Sequence, residues 1–385
     1  MMIFFMACAS NPYEKLNEDL GLDRYLGDFE PSSSEELANG DISYTFDDGT
    51  DGPTCLRGTP FRTFIRDNGS DDLMIFLQGG GACWSDFCIA REEAETEIPY
   101  YDVLRTDLPE NPMKDWNILF VSYCDGSIYA GDANIDEDGD GEVDRYHHGL
   151  QNLSAALDIG QSHFPRPKRL MIAGSSGGGY GSTTLSMLIR SVYKKQELLV
   201  FQDSGIGMGM DADASFLNDL VAEFNAPHLN PEEGILDSGH LTDVIKWQLE
   251  QDPGLKIAAF SSYEDFVISK VFLQVNPPEL YKEWVVEQTD KLSSSYPERY
   301  KTFLIAGDSH TTLLGDPSGA LGLENSNSTA EEVIVKLTDT VAQTDGETVL
   351  MTDWLSAFAD QTTSWNSVVE DPDTQVEGVD NGTLD

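Results

Sequence analysis

The chain has 385 residues, 40% of them hydrophobic, which is enough for one large α/β domain with a sizeable core. Its 23 basic residues stand against 68 acidic ones, and the net charge of −45 excludes nucleic acid as a partner, because no basic surface can displace counterions from phosphates. Such acidity fits a secreted, calcium-rich or salty setting, although it also serves simply to keep a protein soluble.

The first 40 residues predict a surface-attached chain. A short apolar stretch ends at Cys8 and resembles the end of a bacterial lipoprotein signal, so residues 1–8 are interpreted as a truncated signal and Cys8 as a lipidation site. Residues 9–40 are polar and acidic and predict a tether with little fixed structure. These two segments predict an extracellular or cell-surface location, such as that of a bacterial outer-membrane lipoprotein attached to the membrane through a lipid on Cys8.

Strand-like and helical segments then alternate along the chain. The predicted strands are 61–66, 73–78, 117–123, 169–173, 198–202, 256–261 and 301–306, and the predicted helices are 149–159, 180–193 and 241–250. Continuous apolar runs in several strands indicate burial on both faces. We therefore expect a single α/β domain over residues 41–367, with a mostly parallel sheet flanked by helices. Residues 368–385 are acidic and predict a disordered tail.

Four of the five cysteines cluster in the first third of the chain. They are Cys55, Cys83, Cys88 and Cys124. Their number and placement predict two disulfides and an oxidising compartment. A metal cluster is disfavoured, because the chain lacks Cys-x2-Cys and Cys/His pairs at zinc spacing.

The acidic segment 134–147 resembles a calcium-binding loop. Its candidate ligands are Asp136, Asp138, Asp140, Glu142 and Asp144. The first three alternate along the chain, and Gly141 follows them, as in the D-x-D-x-D-G loop that wraps oxygen atoms around calcium. His147 replaces the glutamate expected at the twelfth position, which predicts modest affinity. The segment is otherwise read as an acidic surface turn, and a bound calcium ion would be structural.

The segment 174–178 fits the G-x-S-x-G pattern, with Ser176 as its central serine. A predicted strand precedes it and a predicted helix follows, which is the context of a nucleophile elbow. A phosphate-binding loop is disfavoured, because no lysine follows at the required spacing. The pattern therefore predicts that Ser176 is an exposed nucleophile at the end of a central strand.

A serine nucleophile needs a base and an acid that orients it. The histidines are His147, His148, His163, His228, His240 and His310. Only His310 follows the last predicted strand, which is where α/β-hydrolases carry the catalytic base. Asp203 and Asp265 each follow a strand between the serine and this histidine. Asp265 is preferred because the acid usually lies on the later strand, and Asp203 would then shape the pocket floor or hold a neighbouring loop.

Oxyanion donors are predicted in the glycine run 77–82, which closes an early strand. Glycine allows the backbone to approach a substrate oxygen without a Cβ in the way. The N–H of Gly80 or Gly81 would act with that of Gly177, the residue after the nucleophile. Purely structural glycines are the alternative interpretation.

Several of these motifs occur together in a known order. They are Leu77-Gln-Gly-Gly-Gly-Ala-Cys-Trp84, Tyr123-Cys-Asp-Gly-Ser127, Ala130-Gly-Asp132, Gly174-Ser-Ser-Gly-Gly178 and Asp203-Ser-Gly205. In this order they resemble the pectin acetylesterase/Notum family of serine carboxylesterases, and the similarity runs from about Cys55 to Trp365. The segment around Asp265 is only loosely similar to the family.

The resemblance implies an α/β-hydrolase-like fold, an extracellular location and a metal-independent triad. Carried over by position, the triad falls on Ser176, Asp265 and His310, with no cofactor for catalysis. The resemblance also implies the disulfides Cys83–Cys88 and Cys55–Cys124.

The motifs and the resemblance together predict an extracellular serine carboxylesterase that removes acyl groups, expected to be acetyl, from a polysaccharide. A calcium-dependent, surface-tethered binding protein with an inactive hydrolase fold is one alternative. A fatty-acyl deacylase acting on a lipid or protein is the other, since the family's animal branch removes fatty acyl groups from a protein.

Overall fold

The computed structural model describes residues 12–47, 49–194, 197–315, 334–344 and 346–371. The strands are β1 (Ser33–Glu36), β2 (Ile42–Phe46), β3 (Phe61–Arg66), β4 (Leu73–Leu77), β5 (Gly81–Trp84), β6 (Phe87–Ala90), β7 (Asn117–Val121), β8 (Ala133–Ile135), β9 (Arg145–His147), β10 (Leu170–Ser175), β11 (Leu198–Asp203), β12 (Leu255–Ser262), β13 (Tyr300–Ile305), β14 (Val341–Thr344), β15 (Glu347–Leu350) and β16 (Val368–Val369). The helices are α1 (Pro12–Leu20), α2 (Gly149–His163), α3 (Gly177–Thr184), α4 (Ser186–Val192), α5 (Ala214–Glu223), α6 (Thr242–Gln251), α7 (Glu279–Ser295) and α8 (Met351–Ala359).

A ten-stranded sheet in the order β1-β2-β3-β7-β4-β10-β11-β12-β13-β16 forms the centre of the protein. The first three strands pair antiparallel, and the seven from β7 onward are parallel to one another. The carboxyl ends of β4, β10, β11, β12 and β13 therefore meet at one edge of the sheet, where sites in open parallel sheets lie.

Helices cover both faces of this sheet, so its central strands are buried along their length. Because side chains alternate across a strand, β10 contributes to two cores. Leu170 and Ile172 enter the core shared with α2, α4, α6 and α7, whereas Met171 and Ala173 enter the core beneath α8. The predicted α/β-hydrolase-like architecture, with a mostly parallel sheet flanked by helices, is confirmed.

The seven predicted strands correspond to β3, β4, β7, β10, β11, β12 and β13, with ends that agree within two residues. The predicted helices at 149–159 and 241–250 correspond to α2 and α6. The helix predicted at 180–193 is wrong in detail, because α3 begins earlier and the helix is interrupted at Leu185 before α4.

The predicted tether at 9–40 is wrong for residues 12–36. Helix α1 packs on α4, where the Asn17 side-chain amide donates to the Met187 carbonyl at 2.8 Å. Strand β1 pairs antiparallel with β2. The polar composition concealed this segment, although Tyr13, Leu16 and Leu20 recur at helical spacing and pack against the core, in which Leu22 is buried.

The predicted disordered tail is wrong at its start. Val368–Val369 pairs with β13, and the carboxylate of Glu370 accepts hydrogen bonds from the backbone N–H groups of Ala306 at 2.8 Å and Gln343 at 3.1 Å. Residues 372–385 lie outside the described residues.

The N-terminal signal and Cys8 also lie outside the described residues, which begin at residue 12. Within the part of the chain that the structure describes, no helix combines the length and apolar character needed to cross a bilayer. The lipidation of Cys8 therefore stays a prediction.

Both disulfides implied by the family resemblance are present. Cys55–Cys124 joins the segment before β3 to the segment after β7. Cys83–Cys88 crosslinks the hairpin of β5 and β6, in which these two residues face each other. The predicted pairings are confirmed, and they fix the segments that surround the glycine run before β5.

Candidate active site

Ser176 lies in a tight turn between β10 and α3, with φ +56° and ψ −121°. These angles are sparsely populated by residues with a side chain and cost on the order of 1–3 kcal/mol. Glycines make the turn sterically feasible, because a Cβ on Gly178 would lie 2.0 Å from the Leu77 carbonyl oxygen. The nucleophile turn, residues 174–178, thus has the strained geometry of a nucleophile elbow at the end of a strand. The predicted exposure of Ser176 is wrong, because the residue is only 2% exposed.

Asp265 and His310 form a buried pair at the same edge of the sheet. Asp265 follows β12 and His310 follows β13, and the His310 Nδ1 lies 2.9 Å from both carboxylate oxygens of Asp265. An ionised carboxylate only accepts hydrogen bonds, so Nδ1 carries the hydrogen and Nε2 is left with a lone pair. Nε2 is buried and has no hydrogen-bond partner among the described residues, so it can accept a proton.

Asp203, the alternative acid, does not bind the His310 ring. Its carboxylate accepts hydrogen bonds from the Ser175 hydroxyl at 2.6 Å and from the backbone N–H groups of Thr312 at 2.8 Å and Leu313 at 3.1 Å. Burial raises the pKa of Asp203 to about 6, so the carboxyl is ionised at neutral pH and can serve all of these donors.

The glycine run before β5 lies against the nucleophile turn. A Cβ on Gly79 would lie 2.3 Å from the Ser175 carbonyl oxygen, and a Cβ on Gly177 would lie 3.0 Å from that of Gly81. The structure therefore places Gly81 and Gly177 side by side at the predicted oxyanion site. Gly80 is also close, and its carbonyl accepts from the Arg91 N–H at 2.8 Å.

Two buried tyrosines hold this glycine run, and we did not anticipate their role from the sequence. The Tyr123 hydroxyl donates to the Gly81 carbonyl at 2.9 Å, and the Tyr129 hydroxyl donates to the Gln78 carbonyl at 2.9 Å. Burial raises the pKa of both hydroxyls, so they remain donors. The sequence signal for this role was the position of Tyr123 at the start of the motif Tyr123-Cys-Asp-Gly-Ser127.

An almost wholly apolar pocket of about 80 Å³ opens beside Ser176. The side chains that line it include Trp84, Tyr180, Met208, Phe216, Leu220, Phe272 and Leu273. Helix α5 provides one wall, and a π-helical turn at Val267–Phe272, which begins two residues after Asp265, provides another. Ser176, Gly81 and Gly177 also line this pocket.

The acidic loop connects the short strands β8 and β9. Ligand oxygens of Asp136, Asp138 and Asp144 lie within 4.8 Å of one another. Asp140 and Glu142 do not join this group, and the Asp140 carboxylate instead accepts from the Glu142 N–H at 2.8 Å. The structure brings together three of the five predicted ligands.

His147, at the twelfth position of the predicted calcium loop, points away from these carboxylates. Its Nδ1 donates to the Asp125 carbonyl at 2.8 Å, and burial lowers its pKa to about 4. The neutral imidazole therefore belongs to a buried group with Arg145 and Phe224 rather than to the loop.

The sheet order and the serine turn at the end of β10 define a protein of the α/β-hydrolase-like class. Comparison with known families narrows the class, since the family model described as Pectinacetylesterase matches residues 34–226. The chain belongs to the pectinacetylesterase family, which confirms the resemblance seen in its motifs and indicates a carboxylesterase. The match includes Ser176, the glycine run and Asp203, whereas Asp265 and His310 lie beyond it.

Proposed function

We propose that the protein is an extracellular serine carboxylesterase that removes acyl groups, acetyl first among them, from a polysaccharide. The observation that carries the proposal is the buried pair of Asp265 and His310, at the edge of the sheet where the strained turn presents Ser176. Membership of the pectinacetylesterase family supports the acetyl ester, and the two disulfides support an oxidising, extracellular setting.

The proposed chemistry assigns one role to each of these groups. The Ser176 oxygen attacks the ester carbonyl while His310 Nε2 takes its proton, and Asp265 stabilises the imidazolium that results. Backbone N–H groups of Gly177 and of Gly80 or Gly81 stabilise the oxyanion. The bond between the acyl carbon and the sugar oxygen then breaks, and His310 gives the proton to that oxygen, so the sugar leaves as an alcohol and the acyl group stays on Ser176. A water molecule, deprotonated by the same nitrogen, then releases the acid and restores Ser176.

The size of the apolar pocket supports acetyl and other short acyl groups as first substrates. Its 80 Å³ is several times the space that one water molecule needs, so an acetyl group and a few further carbons fit beside Ser176. Among polysaccharides, a neutral acetylated xylan is a better first substrate than pectin, because a net charge of −45 repels a polyanion at low salt.

Acyl-chain preference tests this assignment. We expect nitrophenyl acetate and butyrate to be hydrolysed with kcat/KM within about 15-fold of each other, because the two additional methylenes contribute about 1.6 kcal/mol together. Esters of ten or more carbons should fall at least about tenfold below butyrate. The matched variant is Leu220→Trp, which fills the pocket and should lower activity on butyrate more than on acetate. A preference for the longest esters would instead support the fatty-acyl deacylase.

We also propose that the loop of Asp136, Asp138 and Asp144 binds a structural calcium ion. The clustered oxygens of these three side chains support it. Millimolar calcium is expected to raise Tm by about 2–4 °C over an EDTA-treated sample, since ligand at many times Kd adds about 2–3 kcal/mol. Asp138→Asn should abolish this rise in Tm and leave kcat unchanged. Asp140→Asn should lower the rise in Tm by a smaller amount. An unchanged Tm in the wild type would contradict the proposal.

A further inference from the structure

Asp203 occupies a position between the two halves of the candidate active site. One half is the nucleophile turn, and the other is the base loop, residues 307–315, which carries His310. The carboxylate of Asp203 is fully buried and contacts both. The sequence predicted only that Asp203 would shape the pocket floor or hold a neighbouring loop, and its contacts with both halves go beyond either role.

On the nucleophile side, Asp203 holds two consecutive residues. Its carbonyl oxygen accepts from the Ser176 N–H at 2.7 Å, and its carboxylate accepts from the Ser175 hydroxyl at 2.6 Å. These contacts follow from the register of β10 and β11, in which Ser175 and Asp203 are paired. The last residue of one strand therefore fixes the end of its neighbour, where the strained turn begins.

On the base side, three consecutive backbone N–H groups after His310 point at the same strand end. The Thr312 and Leu313 N–H groups donate to the two carboxylate oxygens of Asp203, and the Thr311 N–H donates to the Ser204 hydroxyl at 2.8 Å. Thr311 has φ +66°, a conformation that residues with a side chain rarely adopt. The base loop thus needs external hydrogen bonds to keep this shape.

We propose that Asp203 is a positioning residue that bridges the nucleophile turn and the base loop and so sets the placement of Ser176 relative to His310. The inference rests on the proposed esterase function. Asp203 does not orient the imidazole, because the His310 ring binds Asp265. It acts through the backbone on both sides, and charged acceptors make such hydrogen bonds stronger than neutral ones.

A conservative replacement isolates this role. In Asp203→Asn one oxygen becomes an amide nitrogen, so either Thr312 or Leu313 must face a donor with its own N–H. The base loop then shifts, and a displacement near 1 Å costs about 10²-fold in rate. We expect kcat for nitrophenyl acetate to fall about 10- to 100-fold, whereas KM stays within about threefold, because the acyl pocket is not altered.

Asp125→Asn is the matched control. Asp125 is also fully buried, burial also raises its pKa to about 6, and its carboxylate is held locally by the Ser127 N–H at 2.9 Å and the Ser127 hydroxyl. Its replacement should lower Tm to a similar extent and leave kcat within about threefold. Equal losses of kcat in both variants would overturn the proposal, since they would show a general effect of a lost buried carboxylate.

Amide hydrogen exchange provides a readout that does not need hydrolysis. Peptides covering residues 311–315 should exchange at least about tenfold faster in Asp203→Asn than in the wild type or in Asp125→Asn. If the wild type hydrolyses no ester, the proposed function fails while this measurement still decides whether the bridge exists. Unchanged exchange, or an unchanged kcat in a protein that is an active esterase, would overturn the bridge alone.

Ser175→Ala keeps the test decisive if Asp203→Asn does not fold. It removes one arm of the bridge without leaving a buried donor opposite another donor. We expect kcat to fall about 3- to 10-fold, with KM and the exchange of residues 311–315 nearly unchanged, because the base-side arms remain. A loss of kcat below twofold would overturn the nucleophile-side part of the proposal.

Discussion

Replacement of Ser176 by alanine is expected to lower kcat for nitrophenyl acetate at least about 10⁴-fold, because loss of the nucleophile in a serine hydrolase removes nearly all of the rate enhancement. The fold should persist. The backbone of the turn is held by Ser176 N–H and carbonyl hydrogen bonds to Asp203 and Tyr180, which alanine also forms. We therefore expect Tm to change by less than about 2 °C, because the variant loses one oxygen atom and keeps the backbone hydrogen bonds of the turn.

A fluorophosphonate probe provides the independent measurement for this variant, because only an activated serine reacts with it. The wild type should be labelled on the peptide that contains Ser176, and Ser176→Ala should not be labelled. Ser182→Ala is the control, since its buried hydroxyl lies in α3, the helix that follows Ser176, and donates to the Gly179 carbonyl at 2.7 Å. A wild type that resists the probe and hydrolyses no ester would support the inactive, calcium-dependent binding protein instead.

The central strands could be predicted because burial on both faces leaves a continuous apolar run. Met74 to Leu77 and Ile118 to Val121 are such runs, and both lie in the middle of the sheet. Edge strands carry no such signal. β1 reads Ser-Ser-Glu-Glu and is exposed along its length, so only its pairing with β2 reveals it.

The candidate site was predictable where local patterns determine it. Ser176 and the glycine run need particular backbone geometries, and glycine spacing records those needs in the sequence. The choice between Asp203 and Asp265 had no local signal, because Asp203 is the last residue of β11 and Asp265 follows the neighbouring strand β12 closely. The structure shows that their hydrogen-bond partners differ. Asp265 binds the imidazole of His310, whereas Asp203 accepts from the backbone N–H of Thr312, after His310 in the chain.

The pocket walls were not predictable for a different reason. Phe216 and Leu220 lie on α5, and Phe272 and Leu273 lie at the end of the π-helical turn, about 50 residues along the chain. They meet only because the sheet brings the ends of β11 and β12 together. Apolar residues at helical spacing indicate a buried face, but they do not distinguish a core from a pocket.

Replacement of Asp265 by asparagine is expected to lower kcat by about 10³- to 10⁴-fold with little change in KM. The reason lies in a second hydrogen bond, from the Ile268 N–H to Asp265 Oδ1 at 3.0 Å. In the variant the amide oxygen keeps this donor, which leaves the amide NH₂ in the place of Oδ2, 2.9 Å from His310 Nδ1. Nδ1 then has to accept, Nε2 carries the hydrogen, and the base can no longer take the Ser176 proton, as in the wrong-tautomer variant of a serine protease.

Steady-state kinetics of Asp265→Asn and Asp203→Asn, measured side by side, separate the two carboxylates. We expect a loss at least about tenfold larger for Asp265→Asn, because a wrong tautomer removes the base whereas a shifted loop only misplaces it. Fluorophosphonate labelling should follow the same order, since it depends on the same proton transfer. The reverse order would make Asp203 the orienting acid, and the 2.9 Å contact between Asp265 and His310 would then describe a resting arrangement rather than the reactive one.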